Sequence, residues 1–214
     1  NHYLDKQKII INSHLYKLQL EKRNLNEYIK FNHYQTSRLP AGYLENIGNK
    51  FILVSGHGKI VLFDKNLSLS NKINSNLSKI IEKQRPPKGW YSIRDVELDN
   101  NNLDSNIYVS YYKRCDETKW KMSILKASLK DFKENILQFK DIDPFDDTHC
   151  ISDPRPTHSG GRIEIFDEEN LLVSVGDFMF HLAQDKNSIY GKTLLVNKQG
   201  KEYKIFSSGH RNVQ

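Results

Sequence analysis

The feature that most restricts this chain is a recurring unit of two apolar residues, Val-Ser, a loop, an apolar strand and a polar turn. It reads Leu53-Val54-Ser55 before a glycine loop and the run Lys59 to Phe63. It returns as Ile107-Tyr108-Val109-Ser110 before Lys121 to Ala127, and as Leu171-Leu172-Val173-Ser174 before Lys192 to Val196. Ser55, Ser110 and Ser174 stand 55 and 64 residues apart. A period of about 50 to 65 residues, with some four strands per unit, is the signature of a β-propeller with inserted loops. At that period 214 residues hold three blades and part of a fourth. The expectation is therefore an all-β, incomplete ring of about three to four blades, read as one domain over 1–214, with exposed strand edges.

The rest of the chain agrees with a β architecture. Short apolar runs bounded by Gly, Asn, Asp and Lys predict strands at Lys8–Ile11, Leu15–Leu20, Tyr43–Ile47, Phe51–Ser55, Lys59–Phe63 and Ile93–Leu98. Others are predicted at Ile107–Tyr112, Lys121–Ala127, Ile136–Phe139, Arg162–Phe166, Leu171–Val175, Lys192–Val196 and Tyr203–Ser207. One window has helical spacing, Asn76–Gln84, where Leu77, Ile80 and Ile81 recur at i, i+3 and i+4; Pro86-Pro87-Lys88-Gly89 closes it. Only three alanines occur, which argues against a helix bundle.

Composition excludes several classes. The formal charge of +6 invites a nucleic-acid reading, but the lysines are spread along the chain among asparagines. There is no basic helix, arginine-rich run or zinc-finger motif, so no nucleic-acid partner is expected. No stretch approaches the ~20 apolar residues of a membrane span. Two cysteines are too few for a disulfide-dense scaffold or a four-cysteine zinc site. The chain begins at Asn1 and stops just after Gly209-His210-Arg211-Asn212, so both ends read as cuts in a longer protein and the compartment stays open.

The densest polar cluster is His158-Ser159-Gly160-Gly161-Arg162, and Val175-Gly176-Asp177 follows at the end of the next predicted strand. A hairpin with strands at 162–166 and 171–175 returns the chain to the end it left, bringing His158 and Asp177 to one mouth of a blade. A carboxylate on one imidazole nitrogen leaves the other as a proton acceptor, the arrangement of a general base. A loop histidine and a turn aspartate are the plainer reading. Arg211-Asn212, after the strand at 203–207, offers a planar fork and an amide suited to carbonyls or carboxylates. Between the two clusters, Ala183-Gln184-Asp185 and Tyr190-Gly191-Lys192 flank a loop long enough to form a site rim.

In order, His158-x-x-Gly161-Arg162, Val175-Gly176-Asp177, Ala183-Gln184-Asp185, Gly191-Lys192-x-Leu194 and Gly209-His210-Arg211-Asn212-x-Gln214 resemble the soluble pyrroloquinoline quinone (PQQ)-dependent glucose/sorbosone dehydrogenases, or aldose sugar dehydrogenases. The resemblance covers the last 57 residues and implies a six-bladed propeller. It implies that His158 takes the proton from a sugar's anomeric hydroxyl while hydride passes to PQQ, and that Asp177 orients His158. Arg211 and Asn212 would hydrogen-bond the quinone oxygens, and Gln184 would line the pocket. The same resemblance implies a calcium whose ligands lie beyond Gln214, an aldose substrate, an electron acceptor and a periplasmic or secreted location. The 214-residue piece alone would be inactive.

Thr157 stands where relatives carry an acidic neighbour of the base, and Phe178-Met179-Phe180-His181 where they often carry a polar, glycine-containing loop. An apolar rim there would suit a different substrate, or a propeller that has lost catalysis. Val213 replaces a usual proline. Cys115 and Cys150 suit either a bridge or two free thiols. Asp141, Asp143, Asp146, Asp147 and Asp153 read as a solvated acidic connection, because no glycine sits where a calcium loop needs one. His57 reads as a tight-turn residue, and Trp90 and Trp120 as packing residues. Two other functions remain open: a non-catalytic propeller serving as a protein-interaction module, and a calcium-dependent hydrolase with carboxylates converging on the central tunnel.

Overall fold

The computed structural model of the chain describes residues 7–12, 17–22, 42–64, 69–84, 93–100, 102, 104–130, 136–152, 158–178, 181–200 and 202–213. The turn at Pro86-Pro87-Lys88-Gly89, Trp90, Asp153, Thr157, Met179, Phe180 and Gln214 lie outside these residues. There are two compact units, Asn1–Asn32 and His33–Gln214. The first contains an antiparallel hairpin of β1 (Gln7–Asn12) and β2 (Lys17–Lys22), with Gln7 opposite Lys22.

The second unit holds three blades. In the first, β3 (Gly42–Ile47), β4 (Lys50–Ser55), β5 (Ile60–Asp64) and β6 (Leu69–Ser75) pair antiparallel in sequence order. In the second, β7 (Ile93–Leu98), β8 (Asn106–Arg114) and β9 (Lys119–Ser128) do the same. The chain then crosses between blades: β10 (Ile136–Leu137) lies parallel to β6, and β11 (Lys140–Asp141) pairs antiparallel with β9. β12 (Ile151–Ser152) adds to the other end of β9. The third blade is β13 (Gly160–Ile165), β14 (Asn170–Val175), β15 (Lys192–Asn197) and β16 (Tyr203–Ser208). The architecture is thus the expected one, all-β and an incomplete propeller.

The recurring serines mark equivalent places, since Ser55, Ser110 and Ser174 all lie on the second strand of their blade and are buried. Ser110 donates to the Gly161 carbonyl of the next blade, and Ser174 accepts from the Arg162 amide. Each hydroxyl replaces an apolar side chain where a backbone group needs a partner.

Alternate residues of a strand point to opposite faces, and in the middle blade both faces are buried. From β8, Ile107, Val109 and Tyr111 enter the core shared with the first blade; Tyr108 and Tyr112 enter the core shared with the third. From β9, Leu125 and Ala127 face the first core, and Trp120, Met122 and Ile124 the second. Both faces of these strands are covered, so their polar residues Ser110, Lys121 and Ser123 are buried along with the apolar ones.

Besides the short strands β11 and β12, which the sequence did not announce, two segments depart from expectation. β6, Leu-Ser-Asn-Lys-Ile-Asn-Ser, forms a strand without an apolar run; it is the outermost sequential strand, and its Lys72 and Asn74 are exposed. The predicted strand Ile136–Phe139 pairs only over Ile136 and Leu137, because the chain is already turning toward the second blade. Asn76 closes that crossing: its amide donates to the Phe139 carbonyl at 2.9 Å, and its oxygen accepts from the Phe139 amide at 2.8 Å. The helix α1 (Leu77–Lys83) follows at once and buries Leu77 and Ile81.

Candidate active site

The third blade ends in a row. Gly160 faces Val175, Val175 faces Lys192, and Lys192 faces Ser208 across its four strands. Every candidate residue lies just beyond that row: His158 before β13, Asp177 after β14, Gln184 in the loop before β15, and Arg211 and Asn212 after β16. Antiparallel order alone puts these segments at one edge, however far apart they stand in sequence.

Backbone bonds join them. Gly176 N donates to the Ser159 carbonyl at 2.8 Å, and Phe178 N to the His158 carbonyl at 3.1 Å. Asp177 N donates to the Arg211 carbonyl at 2.9 Å, and the Asn212 side-chain oxygen accepts from Gly160 N at 2.9 Å. That last bond leaves the Asn212 NH2 as the part of the amide with hydrogens to donate. Glycine is required where the strands meet: a Cβ on Gly176 would lie 1.9 Å from the His158 carbonyl oxygen. At Gly161, φ is +96° and a Cβ would lie 2.4 Å from Cβ of Arg94 in the second blade.

His158 and Asp177 do meet. Their Nδ1 and Oδ1 atoms are 3.6 Å apart, with only 18% and 10% of the side chains exposed. The exposed Arg211 also reaches this nitrogen, its Nε donating to His158 Nδ1 at 3.2 Å. Next to Asp177, Phe178 sits at φ +49° and is 1% exposed. A left-handed non-glycine residue costs roughly 1–2 kcal/mol, offset here by packing. The Phe178 ring stands edge-on to Tyr190 at 5.3 Å and tilted on Tyr112 at 5.5 Å. Phe178 is therefore a core residue and no part of an apolar rim. Gln184 is exposed beside Gly209, where a Cβ would lie 3.4 Å from its Nε2.

The family model for glucose/sorbosone dehydrogenase matches residues 43–214, all three blades and this whole edge. The chain belongs to that family. Among solved structures, this family member resembles the soluble aldose sugar dehydrogenase of Escherichia coli in its apo form, with TM-score 0.59 and 19% identity over 82% of this chain and 53% of that one. It also resembles a glucose dehydrogenase, with TM-score 0.55 and 17% identity over 81% of this chain and 57% of that one. A second glucose dehydrogenase gives TM-score 0.55 and 17% identity over 81% and 53%. At such identities the likeness carries the fold, and the chain spans about half the length of these structures. No curated protein matches it by sequence.

A second polar region of this glucose/sorbosone dehydrogenase family member escaped sequence reasoning. Glu45 on β3, Asp95 and Glu97 on β7, and Arg162 and Glu164 on β13 line an open cleft of about 400 Å³ between the first strands of the three blades. Asp95 accepts from Arg162 Nη1 at 3.0 Å and from Ile163 N at 3.1 Å. Burial first, and then the neighbouring carboxylates, push Glu45 and Glu97 up to about 7. The available signal was a carboxylate on the first strand of each repeat, at alternate positions.

The other acidic cluster is neutralised. Lys113 pairs with Asp141 at 2.8 Å and with Asp143, while buried Lys121 pairs with Asp143 at 3.1 Å and Asp147 at 2.9 Å. Cys115 and Cys150 form a disulfide, their Cα atoms 6.3 Å apart. Among the described residues the one trio close enough to hold a metal is Cys115, Asp147 and Cys150, and its two sulfurs are bonded to each other. Among the described residues the cleft carboxylates form no such trio.

Proposed function

We propose that the protein is a quinone-dependent sugar dehydrogenase, oxidising an aldose at its anomeric hydroxyl with His158 as general base. The observation that carries this reading is the convergence of His158, Asp177, Arg211 and Asn212 on one edge of the third blade. Family membership supports the same chemistry.

The donor set suits PQQ. Arg211 is exposed and cationic, and Asn212 keeps its NH2. Arg211 and Asn212 would hold the quinone oxygens, and Gln184 would line the pocket. When bound, PQQ supplies the two-electron acceptor for the hydride. His158 must present an unprotonated Nε2 to the sugar hydroxyl, so Nδ1 must carry the ring proton. Asp177 is the carboxylate placed to hold that tautomer and to stabilise the imidazolium once the proton arrives. The Arg211 bond to Nδ1 is incompatible with it, since one nitrogen cannot accept from Arg211 and donate to Asp177 together. Turning Arg211 toward a quinone releases Nδ1 to Asp177.

No residue of this chain is assigned to the calcium. The disulfide supports a periplasmic or secreted location, where such bridges persist. No helix among the described residues is long and apolar enough to cross a membrane.

The test uses the full-length protein with PQQ, calcium and a panel of aldoses. A substrate should bleach the bound quinone's absorbance, and His158→Ala should abolish turnover. Turnover surviving in that variant removes His158 as the base; failure of the wild-type protein to bind quinone favours a non-catalytic interaction propeller.

A further inference from the structure

One charged group beside the site has no part in the chemistry above. Lys192 opens β15 and is 1% exposed, and that burial lowers its pKa from the ordinary lysine value. Its Nζ donates to three backbone carbonyls of one loop: Ala183 at 2.6 Å, Tyr190 at 3.0 Å and Leu182 at 3.2 Å. An ammonium has three hydrogens to donate, and these three acceptors use them all. The loop turns its carbonyls inward around a cation, as a chain does around a bound metal ion. Without the cation each of the three carbonyls loses a donor; Leu182 O would keep only the Asp185 amide and Ala183 O only the Gly209 amide of the bonds described.

The loop is in turn the support of the neighbouring segment. Ala183 O, already held by Lys192, also accepts from Gly209 N at 3.1 Å, and His210 N donates to Gly191 O at 3.0 Å. Contact is too close for a side chain at Gly191, where φ is +68° and a Cβ would lie 2.6 Å from His210 O. From His210 the chain runs directly into Arg211 and Asn212.

We propose that Lys192 is a positioning residue of the site, whose ammonium fixes the Leu182–Tyr190 loop and through it both Gln184 and the Gly209–Asn212 segment. The sugar-dehydrogenase reading enters only in naming what that segment binds.

The test compares Lys192→Met with Lys198→Met in the full-length protein with calcium. Lys198 is equally suited to a loss of stability, being buried and paired with Asp99, but it follows the opposite end of β15. Two readouts are taken: hydrogen exchange of the Gly209 and His210 amides, and PQQ affinity by absorbance titration. Lys192→Met should speed exchange at both amides and weaken PQQ binding by about tenfold or more, whereas Lys198→Met lowers the melting temperature and leaves both readouts unchanged. If Lys192→Met does not fold, Lys192→Gln, which keeps two N–H donors, should show a smaller change in the same direction. Unchanged amide exchange in the position-192 variants, or equal acceleration by Lys198→Met, overturns the proposal. Absence of PQQ binding by the wild type would sink the dehydrogenase reading instead, and the exchange data would still decide the role of Lys192.

Discussion

Arg211 Nε lies 3.2 Å from His158 Nδ1, nearer than the Asp177 carboxylate at 3.6 Å. Because a guanidinium only donates, Nδ1 is the acceptor in this pair and the ring proton rests on Nε2. Nitrogen-15 spectra of the quinone-free protein should show that tautomer for His158, and Arg211→Ala should move the proton to Nδ1, facing Asp177. An Nδ1-protonated ring in the wild type would break the argument.

In the proposed reaction Asp177 works only by orienting His158, so its amide variant should keep binding and lose rate. Asp177→Asn is expected to lower kcat by roughly 10²- to 10⁴-fold, as removal of a histidine-orienting carboxylate does elsewhere, with KM nearly unchanged. A change confined to KM would assign Asp177 to substrate binding.

Gly176 has no room for a methyl group, since a Cβ there would lie 1.9 Å from the His158 carbonyl oxygen. Gly176→Ala must push β13 and β14 apart at the site end. Thermal unfolding should shift down by several degrees, corresponding to roughly 1–3 kcal/mol of overpacking strain, and base-dependent turnover should fall with it. An unchanged melting temperature would contradict the packing described.

The Cys115–Cys150 bridge closes a loop with a sequence separation of 35 and joins the β8–β9 turn to the segment before β12. Loop-closure entropy for such a span is worth roughly 3–4 kcal/mol. Reduction, or Cys115→Ser, should therefore lower the midpoint of urea unfolding clearly. Identical curves with and without a dithiol reductant would mean that the bridge contributes nothing.

Glu45 and Glu97 are raised to about 7 by burial and by mutual repulsion with the other cleft carboxylates. The folded state then binds more protons than the unfolded chain, whose glutamates titrate near 4.3. Their stabilisation is complete below that value and is lost as pH rises through about 7. The melting temperature should fall by roughly a few degrees between pH 5 and 8, and Glu45→Gln with Glu97→Gln should flatten the slope. A slope unaffected by the double substitution would place its origin elsewhere.

Much of this protein is legible in its sequence because the relevant order is local. A strand with both faces covered is rich in apolar residues, so Ile107–Tyr112 and Lys121–Ala127 stand out in the sequence despite Ser110, Lys121, Ser123 and Lys126. The antiparallel hairpin brings Asp177 back to His158 because only a short turn separates β13 from β14. The roles proposed for Arg211 and Asn212 came from resemblance to a family, since nothing in a terminal Arg-Asn pair says which edge it joins. β6 was hidden by the opposite condition: an outer strand needs few apolar residues, and Ile73 is its one buried side chain among those described.

What the sequence determined by itself is the repeat, the all-β class and the placing of His158 and Asp177 at one mouth of a blade, each a matter of strand periodicity and short connections. Tertiary structure alone decided the rest. The cleft carboxylates come from first strands of three separate blades, the disulfide depends on two turns meeting, and the Lys192 cage depends on a loop folding back over its own strand. Such contacts are set by how blades and loops pack in space, and no local pattern of residues encodes that distance.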